Sequence, residues 1–227
     1  MTDHQVFIVI PSYNESKVIR QTIRSLGDQY HVVLVDDAST DDTASAVRDL
    51  PIYYLRHDIN LGQGAALQTG MDFARQQGAD IVVHFDADGQ HNPADIDRFI
   101  ETLRTQNLDV VLGSRFLRQD DLMAIPRLRR ILLRVARVIN GLLTGLWLSD
   151  AHNGFRVMNR RALASIQLRE NRMAHASEIL MQIRRSGLNY VEMPTHIIYT
   201  DYSQVKGQRW QGAFDILIDV FINKYFR

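Results

Sequence analysis

The sequence predicts an α/β protein with a mostly parallel sheet and helices on both faces. Five short apolar runs alternate with four helix-period segments in the first 115 residues, the order that parallel βαβ units require. The runs are continuous rather than alternating, as strands buried on both faces are. Three of them end in acidic or polar clusters, at the strand ends where open α/β sheets bind ligands.

Val6–Ile10 is the first strand, stopped at Pro11, and Val18–Leu26 follows with helical spacing. Val32–Val35 is the second strand, ending at Asp36-Asp37, and Asp41–Leu50 is a helix behind a Ser-Thr-Asp cap. Ile52–Leu55, Gly64–Gln77 and Ile81–Phe85 read as strand, helix and strand. Pro93 opens a helix to about Thr105, and Val110–Leu112 is the fifth strand. Beyond Arg115 the pattern loosens. Residues 126–148 read as a basic, apolar helix, SDAHNGFR at 149–156 as a polar turn, and Met173–Arg185 as a helix. Tyr190–Met193 and His196–Tyr199 read as short strands, 207–212 as a loop, and Ala213–Phe226 as an amphipathic helix. The expected organisation is one domain over 1–227. Residues 1–115 form its regular strand–helix half, and 116–227 a more irregular half that should build the acceptor side of whatever site the first half creates.

Composition excludes several classes. With 227 residues, 45% hydrophobic and 23% charged, the chain can bury an ordinary core. Its 26 basic and 26 acidic residues balance, which speaks against a nucleic-acid partner. Zero Cys removes disulfides, zinc–thiolate sites and thiol nucleophiles. The first apolar run stops after five residues, so no signal peptide is expected; the 138–148 run is too short to span a bilayer. The expected location is cytoplasmic. There is no H-E-x-x-H, no G-x-S-x-G and no Walker motif, and Gly62-Gln63-Gly64 fails the dinucleotide spacing because position 67 is Leu.

Three polar clusters follow strands: Ser12-Tyr13-Asn14-Glu15, Asp36 to Asp41, and Asp86-Ala87-Asp88-Gly89-Gln90. Carboxylates gathered at adjacent strand ends repel unless a cation relieves them. Asp and Gln oxygens suit Mg²⁺ or Mn²⁺, with substrate phosphate completing the coordination.

In this order the blocks VFIVIPSYNE, VVLVDDASTDDT, INLGQGAALQTG, FDADGQHNPADI, VLGSRF and DAHNGFRVMNRRAL resemble the successive motifs of family 2 glycosyltransferases. Within that family they are most similar to the short dolichol-phosphate-mannose-synthase-like branch. The resemblance runs over almost the whole chain. It implies a GT-A fold, a nucleotide-diphosphate sugar donor, a divalent metal and inversion at the anomeric carbon. On it, Pro11, Tyr13 and Glu15 line the nucleoside pocket, and Asp37, with Asp36 beside it, contacts base or ribose. Asp86 and Asp88, flanking Ala87, bind metal and diphosphate, and Gln90 also reaches the metal. Arg115 and Arg156 lie near phosphate groups, and Lys206 and Arg209 close over donor or acceptor phosphate. Gly89 stands where Leu is usual in the mannose-synthase pattern, and Asn153 where Ser is common.

Sugar transfer to a hydroxyl needs a base, for which Asp150 and Glu178 are the candidates; a lipid phosphate is already ionised and needs none. In that second case Asp150 would be structural, pairing with Arg156. The Arg127–Arg137 stretch has the composition of a helix lying in the headgroup plane, giving peripheral contact with the cytoplasmic face of a membrane. The terminal helix fits membrane contact, core packing or homodimerisation. The expected activity is therefore transfer of a sugar onto a polyprenyl phosphate. A glycan or small-molecule hydroxyl is the alternative acceptor. A nucleotidyltransferase would need a glycine-rich segment where PSYNE stands.

Overall fold

The computed structural model describes residues 5–117, 138, 141–142, 144–151, 153–196 and 198. Most of the helix expected over 126–148, the Arg127–Arg137 stretch, the 207–212 loop, Lys206, Arg209 and the terminal helix lie outside these residues. The strands are β1 (Val6–Ser12), β2 (His31–Asp36), β3 (Tyr53–Arg56), β4 (Ile81–His84), β5 (Val110–Ser114), β6 (Arg156–Asn159) and β7 (Tyr190–Pro194). The helices are α1 (Ile19–Arg24), α2 (Thr43–Val47), α3 (Gln63–Gln76), α4 (Ala94–Thr105), α5 (Arg160–Ser165) and α6 (His175–Arg185).

The strands form one sheet in the order β3-β2-β1-β4-β6-β5-β7. Side-chain alternation along β1 divides the core in two. Val6, Ile8 and Ile10 join a cluster with Ile19, Ile23, Ile96, Phe99 and Ile100 from α1 and α4. Phe7 and Val9 face the opposite cluster, with Leu67 and Met71 from α3 and Ile179 and Ile183 from α6. Helices thus cover both faces, and β1 is buried throughout. Pro11 lies past the last β1–β4 pair, Val9↔His84, so the ladder on that side loses nothing to its missing N–H. Gly70 lies within α3. A Cβ there would stand 2.3 Å from a Val9 methyl, so only glycine lets α3 lie this close to β1.

Two expectations change. The SDAHNGFR turn ends at Phe155, because Arg156–Asn159 is β6, antiparallel between β4 and β5 with His84 and Leu112 both registered on Arg156. It leads into α5, whose N-cap Asn159 accepts the Ala162 N–H at 2.8 Å. The strand expected over 196–199 is not seen at its described positions, since Thr195, His196 and Ile198 lie outside any strand. Among the described residues no helix is long and apolar enough to cross a membrane.

Candidate active site

The first two strand-end loops hold each other. Ser39 Oγ accepts the Asn14 N–H at 2.9 Å, and Thr43 Oγ1 accepts the Glu15 N–H at 3.0 Å. Asp41 accepts the Ser16 N–H, and Asn14 Oδ1 the Thr40 N–H. The STDDT run is therefore the mould for the PSYNE loop. It leaves Tyr13 45% exposed beside the half-buried Glu15. Asp36 and Asp37 are buried. Asp36 accepts the Ser39 N–H and the Tyr54 hydroxyl and lies 3.4 Å from Arg56. Asp37 accepts the Leu61 and Gly62 N–H groups at 2.9 and 2.6 Å, with His57 Nδ1 at 2.8 Å from its Oδ1. The Asp36 carboxylate thus ties the loop after β2 to β3, while Asp37 shapes the loop that precedes α3 and has three neighbours on its carboxylate.

The third loop follows β4. His91 Nε2 lies 2.9 Å from Asp86 Oδ2, and the Gln63 amide donates to Asp86 Oδ1 at 3.3 Å. The Asp86 side chain is 31% exposed, yet protein surrounds most of it. Desolvation would raise its carboxyl, but His91, Arg156 and His175 outweigh it and hold the group below the ordinary value. Asp88 moves the other way, raised by burial and by the neighbouring charges of Asp86 and Glu15. Gln90 donates its backbone N–H to Asp88 Oδ1 at 3.0 Å and its side-chain amide to Oδ2 at 2.7 Å. Asp86, Asp88, Glu15 and the Gln90 amide oxygen are hard donors under mutual repulsion. Among the described residues no cluster of three or more His, Cys, Asp or Glu closes a cage of its own. Such a set fits Mg²⁺ or Mn²⁺ held jointly with substrate phosphates.

In the loop ahead of β6 the Asp150 carboxylate, 2% exposed, receives Arg115 as a fork: Nε to Oδ2 at 2.7 Å and Nη2 to Oδ1 at 2.9 Å. Burial would raise this carboxyl, but the charge and hydrogen bonds of Arg115, helped by Asn153, hold it below the ordinary range. Glu192 of β7 accepts the Ser149 and Asp150 N–H groups and fixes the loop from behind. Asp150 pairs with Arg115, not with Arg156 as expected. Arg156 is 2% exposed, and its Nη1 has no hydrogen-bond partner among the described residues. Burial lowers it to about 10 against the charges of Asp86 and Asp150, so it stays a cation at neutral pH. It is a buried positive charge that acts on both the Asp86 and the Asp150 carboxylates. The Glu178 carboxylate accepts the Arg169 and Glu170 N–H groups at 2.9 to 3.0 Å and the Gln182 amide at 3.1 Å, clamping the loop ahead of α6.

Sequence reasoning left His57, His84, Gln63, Gly154 and Glu192 unassigned. His84 is buried with neither ring nitrogen bonded among the described residues, and burial, then Arg156 and His175, push it well below its ordinary value. Only the spacing of His91 to Asp86 in FDADGQH was visible in the sequence.

Fold and strand-end carboxylates together define a nucleotide-sugar transferase of the GT-A class. The profile described as Glycosyl transferase family 2 matches residues 7–167, and the chain belongs to that family. A UDP-N-acetylglucosamine–dolichyl-phosphate N-acetylglucosaminyltransferase of Methanococcus voltae is 31% identical over 99% of this chain and 98% of its own length. An undecaprenyl-phosphate mannosyltransferase of Micrococcus luteus is 29% identical over 89% of this chain and 87% of its own. Among solved structures, Mycobacterium tuberculosis glucosyl-3-phosphoglycerate synthase with Mn²⁺ and UDP-glucose superposes with a TM-score of 0.71. It does so at 18% identity, over 97% of this chain and 78% of its own, a likeness of fold.

Proposed function

We propose that this glycosyltransferase moves a sugar, with inversion, from a nucleotide diphosphate to a polyprenyl phosphate. One observation carries the choice of acceptor: Asp150 and Glu178, the candidate bases, are both engaged as structural acceptors. A hydroxyl nucleophile would need a free base at that side, whereas an ionised phosphate needs a cation. The fork from Asp150 presents Arg115, 41% exposed, as that cation. The named acceptors of the two relatives, dolichyl and undecaprenyl phosphate, support the same choice. Asp86, Asp88 and Gln90 would hold Mg²⁺ or Mn²⁺, which when bound neutralises the departing diphosphate. Tyr13 and Glu15 would seat the nucleoside, with Asp37 holding the wall beside it.

Peripheral membrane contact belongs to the same proposal. Leu142 and Trp147 are 69% and 57% exposed and follow the basic 127–137 stretch in the sequence, and exposed apolar side chains together with basic ones suit an anionic bilayer.

The test is a panel of UDP- and GDP-sugars with Mn²⁺, assayed on polyprenyl phosphate beside a sugar acceptor. Product is expected on the lipid phosphate only and is abolished by EDTA. Arg115→Ala should cost about 10²-fold or more, in the range of other phosphate-stabilising donors, and Glu178→Gln far less. Transfer to the hydroxyl, or full turnover in EDTA, would overturn the reading.

A further inference from the structure

Asp95 stands outside the site as described so far, yet it is bound to it through consecutive contacts. It lies in the first turn of α4, five residues beyond Gln90, and is 3% exposed. A carboxylate this buried requires partners, and its two oxygens divide them. Oδ2 accepts the Thr195 hydroxyl at 3.0 Å and the His196 N–H at 2.8 Å. Oδ1 accepts Arg98 Nη2 at 2.7 Å and lies 3.2 Å from His196 Nδ1. Arg98 also donates to the Pro194 carbonyl. Every one of these partners except Arg98 belongs to the segment leaving β7.

That segment is extended from both ends of the anchor. Before it, the Thr195 N–H donates to the Ser114 carbonyl at 3.0 Å, continuing the β5–β7 ladder next to Arg115. After it, the Ile198 N–H donates to the Gln90 carbonyl at 2.8 Å. Gln90 in turn holds both oxygens of Asp88 through its backbone and side-chain amides. The connection therefore runs from Asp95 to Thr195 and His196, to Ile198, to Gln90 and to Asp88, with a hydrogen bond or covalent bonds at each step. Gly89, between Asp88 and Gln90, has a φ of +74°, a left-handed conformation that glycine adopts without strain.

We propose that Asp95 is a positioning residue for the metal and diphosphate loop. It straps the chain after β7 across the carbonyl of Gln90, which keeps Gln90 and Asp88 set for the cation. This rests on the proposed metal role of Asp86, Asp88 and Gln90, and it goes beyond that role by assigning the loop's geometry to a residue on α4.

The side-chain geometry supplies its own control. Asp95→Ala removes both oxygens. Asp95→Asn with its amide oxygen at the Oδ2 place keeps the two acceptor bonds to Thr195 and the His196 N–H and changes only the Oδ1 contacts, to Arg98 and to the His196 ring. The measurements are the Mn²⁺ concentration giving half-maximal activity, the donor KM and kcat, and amide exchange at Gln90 and Ile198. In Asp95→Ala the half-activating Mn²⁺ and the donor KM should each rise about tenfold, the scale set by one lost bond to a charged acceptor. The Ile198 amide should exchange faster while core amides of β1 stay protected. Asp95→Asn should recover most of the Mn²⁺ response, and Thr195→Val, which removes one donor without changing shape, should fall between. A wild-type protein indifferent to Mn²⁺ would defeat the metal assignment itself. A Mn²⁺-dependent wild type whose Mn²⁺ response is unchanged in both Asp95→Ala and Thr195→Val would overturn the strap. So would an unaltered Ile198 exchange rate, or an Asp95→Asn variant as impaired as Asp95→Ala.

Discussion

Gly154 shows how far the site depends on single atoms. A Cβ built there would lie 2.4 Å from Asp86 Oδ2 and 2.8 Å from Oδ1, inside any real contact distance. Its backbone φ is not in the left-handed region, so alanine is acceptable to the chain and the obstacle is the carboxylate alone. Gly154→Ala should therefore leave thermal stability nearly unchanged and displace Asp86. A displacement near 1 Å in a positioned group costs about 10²-fold in turnover. Melting temperature beside kcat/KM checks this; a fully active variant would show that Asp86 need not stay where it is. The sequence showed the acids Asp86 and Asp88 but not this constraint, because a glycine before Phe-Arg looks like any turn residue until β6 brings it to β4. Asp37 illustrates the converse. Its residue type and strand-end position were legible, whereas its partners Leu61, Gly62 and His57 are 20 to 25 residues away along the chain.

At the scale of elements, Asp150 and Arg115 join the end of β5 to the loop ahead of β6, and Glu192 joins that loop to β7. The sign of the pH effect follows from the depressed Asp150 carboxyl. Its contribution is complete above the ordinary aspartate value near 4 and is lost as pH falls through the lower folded value. Asp150→Asn should lower stability at neutral pH by about 2–3 kcal/mol, less than a fully buried pair because Arg115 reaches solvent. It should also flatten the dependence of the urea midpoint on pH below the ordinary aspartate value near 4. Parallel titrations of both proteins test this, and equal slopes would remove Asp150 as the source. The elements themselves divide by locality. β1 to β5 and α1 to α4 were readable because each is a local apolar period closed by a turn. β6 was not, since Arg156 reads as solvent-facing and only pairing with both β4 and β5 buries it.

For the whole molecule, that inserted strand decides whether 1–115 and 116–227 are separable halves. β5 closes the first by sequence, but its two neighbours are β6 and β7, and β4 also meets β6 on its outer side. Val110 and Val111 are 0% exposed and Leu112 is 3% exposed only because those later strands flank them. Without residues 156–194, β5 would have no strand partner, and part of the core shared by Val157, Phe155 and Phe99 would open to water. Bare edges of this kind pair with other chains. Residues 1–115 made alone should therefore be aggregated or lack cooperative unfolding. The full chain should unfold in one transition, with far-ultraviolet dichroism, weighted to the whole sheet, and tryptophan fluorescence, arising only beyond residue 146, giving the same midpoint. Two separated midpoints, or a 1–115 fragment with a sharp melting transition, would mean that β1 to β5 fold without β6. The Asp86–Gln90 loop would then be assembled before Gly154 and Arg156 reach it.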